Sequence, residues 1–484
     1  MTWMPRTLYL IGCWLLLFAG VQLIPALYAV GLENKLIFES FALSIFINGF
    51  IGAVLYFGFQ NAKRSKSLRV MILLPLFAYA ATGLGSALPF IFYYPATPLI
   101  TTFFEGVSMI TTMGSSVLRE GVTEPYALVL WRALASWCGG LGIMVMALTF
   151  LMRVNIGAMQ LYPSEFSKGN KGAALGSIFS VSQSLIKPYS LLTLFAIFLF
   201  LLVGEGLDTA LIRGLSIVAS AGIVMAGDTS ATIASVPLQG AYMLLMTLVL
   251  INIDILYAAG RQNRKTKVKS LEFRLLPTML IWAISCLIVI QFLTGQSVNI
   301  FDLYFMMVSA MSTTGYVLAD WVGIGSSGLA SSVVFLVLAL IGGGVLTTTG
   351  GIRQMRFLIM VAQGRAEVSR LAHPNGVHSL KFGRRTIASH DMNAVWLLVV
   401  GFLMAFVFGT VLLSIFSHPV EDSVAMTVAA LTSSGPLAEL ISPNFPGFSM
   451  LGAVEYFILS MLMLFGRLET SLVIILTARF FWRK

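Results

Sequence analysis

The chain alternates long apolar runs with short basic loops, and most of the runs fall into a repeat. Residues 7–30 and 38–59 are each long enough to cross a bilayer, which needs about 20 apolar residues per helix. They read as a hairpin with both ends inside. Ala26-Leu27-Tyr28-Ala29 has the pattern of a signal-peptide cleavage site. The length of its run, and the second span that follows at once, predict an uncleaved span instead. Four units then follow, each reading as a span, a short apolar segment, a glycine turn and a second span. The predicted segments are 1–69 for the hairpin, then 70–187, 188–274, 275–392 and 393–484 for the units.

The first spans are read at 70–93, 189–203, 275–293 and 394–416, and the second spans at 127–152, 242–259, 329–362 and 448–481. Between them lie short segments at 98–110, 208–218, 299–310 and 421–431, too short to cross. Each short segment runs into a turn of small and hydroxyl residues. The turns are Thr111-Thr112-Met113-Gly114, Ala219-Ser220-Ala221-Gly222, Ser312-Thr313-Thr314-Gly315 and Thr432-Ser433-Ser434-Gly435. At membrane depth lipid cannot satisfy the carbonyls of such a turn, so protein or water must line it. A short helix entering from outside points its negative C-terminal dipole at the midplane, where it favours a cation. Glycine permits the positive φ that the returning chain needs. Carbonyls of the four turns can then replace water around an ion.

Composition narrows the class. The 484 residues are 58% hydrophobic and 10% charged, with mean hydropathy +0.90. This excludes a soluble fold and predicts an all-α polytopic membrane protein with about ten transmembrane helices plus four re-entrant ones. The net charge is +10. All Lys and Arg except Lys35, Arg119, Arg132, Arg213 and Arg467 fall in alternate loops or at the ends, which the positive-inside rule places in the cytoplasm. Anionic membrane lipid, not nucleic acid, is the expected partner of that charge. Cys13, Cys138 and Cys286 lie in apolar runs without metal-ligand spacing, and the four histidines form no HxxxH or HExxH pattern. No nucleophile-base pair or phosphate loop points to an enzyme. Acidic residues at predicted outer positions (Glu120, Glu124, Asp208, Asp228, Asp302, Asp320, Glu421, Asp422 and Glu439) either draw cations to the mouth or are solvated loop charges.

Two features lie deeper. The second span of unit three contains Gly342-Gly343-Gly344-Val345-Leu346-Thr347-Thr348-Thr349-Gly350-Gly351-Ile352-Arg353. It reads either as a broken helix forming a barrier below the turns or as close helix packing through small residues. Arg467 sits in the last span, where a charge is costly and faces the bundle interior. It is either an electrostatic barrier in the pathway or a partner of Glu455 or Glu469, whose spacings suit a helical pair poorly.

The four turns, Ser136-Trp137-Cys138-Gly139-Gly140-Leu141-Gly142-Ile143, the Gly/Thr run and Gly466-Arg467-Leu468-Glu469 together resemble the Trk/Ktr/HKT superfamily of potassium transporters. The leading hairpin makes the chain most similar to the bacterial Trk (TrkH-type) membrane subunits. The resemblance implies four span–pore-helix–span units around a pseudo-fourfold axis, and a homodimer with one pore per protomer. It implies bound K+ at the turn carbonyls with no organic cofactor, and a gate formed by Gly342, Gly343, Gly344, Thr347, Thr348, Thr349, Gly350, Gly351 and Arg467. A cytoplasmic nucleotide-binding, RCK-type (TrkA-like) regulatory subunit and a bacterial inner-membrane location with both termini cytoplasmic are also implied. Glycine at 114, 222, 315 and 435 is the pattern of potassium preference. Met113 departs from the threonine common in the family, and Gly435-Pro436 departs from the other three units, which implies an asymmetric fourth wall. Ion-coupled (H+ or Na+) secondary transport, for which Glu105 or Asp254 would have to serve, and a potassium/sodium channel of low selectivity stay open as alternatives.

Overall fold

The computed structural model describes residues 4–31, 34–62, 68–118, 124–148, 176–224, 235–260, 271–294, 299–318, 328–373, 381–382, 385–386, 389–416, 418–442, 445 and 447–468. The basic stretches at 63–66, 153–171, 261–269 and 483–484, and the acidic residues Glu120, Asp228, Asp320 and Glu469, lie outside the described residues. The regular elements of the described chain are helices apart from an antiparallel ladder of two-residue strands, β1 (Lys381–Phe382) with β2 (Arg385–Thr386).

Helices α1 (Met4–Gly31) and α2 (Lys35–Phe59) form the leading hairpin. They cross where Gly12 faces Gly52, close enough that a Cβ on Gly12 would lie 2.9 Å from the Gly52 carbonyl. Asn48 of α2 donates from Nδ2 to Gln22 Oε1 of α1 at 3.2 Å and to Gly85 O of the next helix at 3.0 Å. A buried amide cluster of this kind fixes the register of the hairpin on the first unit, because leaving either partner unpaired would be costly.

The first spans are α3 (Leu68–Tyr93), α6 (Gly176–Leu202), α10 (Leu271–Thr294) and α14 (Ser389–Ser414). They begin earlier than the hydropathy pattern predicts. Pro188 and Pro277 lie inside α6 and α10 and do not start them, because a helix tolerates one missing N–H where its neighbours hold it. The short helices are α4 (Leu99–Ile110), α7 (Leu207–Val218), α11 (Ile300–Met311) and α15 (Val420–Thr432). At 1.5 Å per residue they reach about 18–20 Å, short of the ~30 Å hydrocarbon core. Pro98 and Pro419 precede α4 and α15, and Asn299 caps α11 by accepting from Phe301 N at 3.2 Å. Each short helix follows a first span, so all four dip into the bundle from one face.

The second spans differ. α5 (Tyr126–Met146) is continuous. In unit two the expected single span is broken into α8 (Val236–Leu250) and α9 (Ile253–Gly260). In unit three it is α12 (Gly328–Ile341), an irregular segment, and α13 (Gln354–Ala372), which runs ten residues past the expected end. Unit four turns through α16 (Leu437–Ile441) and a 3₁₀ turn (Phe448–Met450) before α17 (Ala453–Leu468). Among the described residues seven helices, α1, α2, α3, α5, α6, α10 and α14, are long and apolar enough to span. Among those residues too, the second spans of units two, three and four are interrupted or shorter. The short helices are buried at the centre, and the outer faces of α10 and α14 expose apolar side chains such as Phe292 and Phe408, as hydrocarbon-facing surfaces do.

Candidate functional site

All four short helices end in the same capping motif. Thr112, Ser220, Thr313 and Ser433 adopt φ of 58°, 55°, 55° and 53°. This left-handed position usually holds glycine, because an L side chain there costs roughly 1–2 kcal/mol. In three turns the next amide donates back across the motif: Met113 N to Ser108 O at 2.8 Å, Ala221 N to Ser216 O at 2.9 Å and Ser434 N to Ala429 O at 2.9 Å. The glycine follows two residues after the left-handed position. Gly114, Gly222 and Gly315 have φ of 74°, 61° and 75°. Gly435 does not, because Pro436 follows it and disfavours compact conformations in the residue before. Pro436 itself is helical and opens α16.

The four turns meet in a closed ring. A Cβ on Gly114 would lie 1.5 Å from Ala221 O, and one on Gly222 would lie 1.8 Å from Thr314 O. A Cβ on Gly315 would lie 2.8 Å from Leu437 N. The ring closes where Gly435 N donates to Met113 O at 2.9 Å. Turn one thus touches two, two touches three, three touches four and four touches one. Only glycine fits such backbone-to-backbone approach.

A serine six residues before the glycine ties each of the first three turns to its own helix. Ser108 Oγ donates to Ser115 O at 2.7 Å, Ser309 Oγ donates to Tyr316 O at 2.7 Å, and Ser216 Oγ accepts from Ile223 N at 2.8 Å. The fourth helix has Ala429 there. This repeat was visible in the sequence but is easily missed, since serine in an apolar helix is common. Tyr316 also braces turn three on turn two, its hydroxyl lying 3.2 Å from Ile223 O and 3.3 Å from Ser216 Oγ.

Beneath the ring lies the irregular segment 342–353. Gly342 and Gly351 have φ of 67° and 82°, and Arg353 has 81°. The freed backbone is satisfied by protein, as the membrane interior demands. Gly344 N donates to Leu250 O at 3.3 Å, and Ile253 N donates to Leu346 O at 3.2 Å. These two bonds explain the break between α8 and α9: the groups released at 250–253 pair with the segment. Arg353 Nη1 donates to Gly344 O, Thr347 O and Thr347 Oγ1, each at 3.1 Å, so the segment is cross-tied by a guanidinium.

The segment touches every turn. Thr348 Oγ1 donates to Val218 O at 2.9 Å and lies 2.9 Å from Ser220 Oγ. Gly350 N donates to Thr313 Oγ1 at 2.9 Å, and a Cβ on Gly350 would lie 1.8 Å from Thr432 O. Turn one is joined through Arg467. Its Nε donates to Thr111 O at 2.6 Å, its Nη1 to Thr348 O at 2.6 Å, and its Nη2 to Thr112 Oγ1. The hydroxyls at two of the left-handed positions, Ser220 and Thr313, therefore face the segment, and that of Thr112 faces Arg467. Glu455, a possible partner of Arg467 by sequence, instead meets His418 Nε2 at 2.5 Å. Glu124 and Asp422 are also buried in specific bonds, with Arg132 and Ser442, so neither is a solvated mouth charge.

Several known proteins are similar to this chain. A family profile described as TrkH, cation transport protein, matches residues 39–219 and 273–484. The Trk system potassium uptake protein TrkH of Salmonella typhimurium is 30% identical over 488 residues, 98% of each chain. The protein of that description from Escherichia coli K12 is 30% identical over 492 residues, again 98% of each. The crystal structure of the potassium transporter TrkH from Vibrio parahaemolyticus superposes with a TM-score of 0.87 at 24% identity, over 99% of this chain and 100% of that one. That likeness is one of fold.

Proposed function

The chain belongs to the TrkH family of cation transport proteins, and we propose that it takes up potassium through the ring of four turns. Residues 111–114, 219–222, 312–315 and 432–435 form the selectivity filter, and their backbone oxygens replace the hydration shell of K+. The observation that carries this reading is the closed ring of turn-to-turn contacts. Four helix C-termini aim their dipoles at one place, which favours a cation. An inside-negative potential drives entry with about 2.3 kcal/mol per charge per 100 mV. Residues 342–344 and 347–351 with Arg467 form the gate: they lie under the filter, and the guanidinium puts a positive charge against it. Glu105 is bonded to Arg132 and to filter-side backbone, which favours conduction over proton coupling at that carboxylate.

The protein acts in the bacterial inner membrane with cytoplasmic termini, as a homodimer with one pore per protomer. It works with a cytoplasmic nucleotide-binding subunit of the RCK, TrkA-like type; the relatives' description as parts of a Trk system supports more than one component. The test is uptake in cells lacking their own potassium import, across K+ and Na+ concentrations. Saturable K+ uptake that Na+ does not replace is expected. Uptake no greater than in cells without the protein, or equal for both ions, overturns the reading.

A further inference from the structure

Behind the first turn stands a charged group that the ring does not need for its own closure. Glu105, on α4, is fully buried. Its Oε1 accepts from Val117 N at 2.5 Å, Ser116 Oγ at 3.0 Å and Leu118 N at 3.2 Å. Its Oε2 accepts from Arg132 Nη1 of α5 at 2.5 Å, and Arg132 Nε donates to Glu124 Oε1 at 2.9 Å. The guanidinium carbon stacks 4.8 Å from the centre of the Phe90 ring on α3. The backbone leaving turn one is thus pinned to three helices through one carboxylate.

Among the described residues, no other short helix carries a carboxylate at this place. The position nine residues before the turn glycine is Glu105, Arg213, Met306 and Met426 in the four units. Arg213 pairs with Glu205, which precedes its helix. Met306 and Met426 are buried thioethers, which can accept only weak hydrogen bonds. Turn one is also the one carrying Met113, whose carbonyl takes the ring-closing bond from Gly435. A charge-assisted brace on residues 116–118, which leave that turn, resists displacement more strongly than neutral bonds do.

We propose that Glu105, oriented by Arg132, is a positioning residue for ion selectivity: it sets where the first turn's carbonyls stand and so the size of cation they fit. The inference rests on the ring being the filter. A pair that merely stabilised the bundle would change the amount of folded protein and leave the ion ratio alone, so the ratio is the readout.

The experiment measures Rb+ against Na+ flux in proteoliposomes holding purified full-length protein, with melting curves as the folding control. Glu105→Gln keeps the shape and loses the charge. Glu105→Gln with Arg132→Met and Glu124→Gln removes the whole charged cluster, an exchange that buried ion pairs often tolerate. Glu105→Asp keeps the charge but shortens its reach, and Gly315→Ser serves as a filter control. Expected is a fall in Rb+/Na+ preference of about tenfold in both charge-removing variants and an intermediate ratio in Glu105→Asp, which decides alone where the others fail to fold. A wild-type ratio in every folded Glu105 variant, with the ratio shifted by Gly315→Ser, overturns this inference only. A wild-type ratio in Gly315→Ser as well overturns the filter reading with it.

Discussion

The ring of turns and the segment below it are built on opposite plans. The ring repeats one backbone device four times: a left-handed hydroxyl residue, a glycine two places on, and in three turns a serine tie to the parent helix. The segment occurs once and has no repeat to support it. Two guanidiniums, Arg353 and Arg467, and the hydroxyls of the turns hold it. Redundant backbone geometry resists displacement, because no single bond decides it. A loop held by fewer contacts opens at lower cost, since losing one contact changes its free energy by a large fraction. The comparison teaches that selectivity and gating are separable here. Substitutions in the ring should change which ion passes, and substitutions in the segment should change how much.

The largest expected effect is on the segment. Shortening 344–350 should raise basal Rb+ flux in proteoliposomes by more than about tenfold, a change of ~1.4 kcal/mol or more in the barrier; an unaltered basal rate would remove its gating role. Arg467→Ala comes next. It deletes charge-assisted bonds to Thr348 O of the segment and to Thr111 O of the first turn and should raise flux several-fold, less than shortening the segment does. A folded product with a wild-type rate would assign Arg467 to structure alone.

On the ring, Gly315→Ser adds a Cβ at φ of 75° and 2.8 Å from Leu437 N. A strain of roughly 1–2 kcal/mol should lower potassium preference over sodium several-fold, read as competing fluxes, with little change in total rate. Ser309→Ala should give the smallest shift. It removes one neutral bond, worth ~0.5–1.5 kcal/mol, and a two- to threefold loss of preference is expected. If Ser309→Ala changed total flux and not the ratio, the two regions would not be separable.

The repeat was legible because its marks are local. Long apolar runs, short segments beginning at Pro98 and Asn299, and the four glycine turns all stand in the sequence. The left-handed hydroxyls were not legible, because threonine has no preference for that conformation and takes it only where the ring and segment hold it. The break at 251–252 falls at Asn252, inside a stretch read as one span, and is explained only by Leu346 and Gly344 across the bundle. Arg467 could be seen to be costly, but its partner Thr111 lies 356 residues away, beyond any periodicity. The Glu105–Arg132 pair spans 27 residues and two helices, and each residue read alone is only a charge in an apolar stretch.

Anomalous diffraction from crystals grown in Rb+ tests the central claim most directly. A peak is expected on the axis of the ring, within coordination distance of main-chain oxygens from all four turns. A peak held by side-chain carboxylates away from that axis, with none at the ring, would contradict the account.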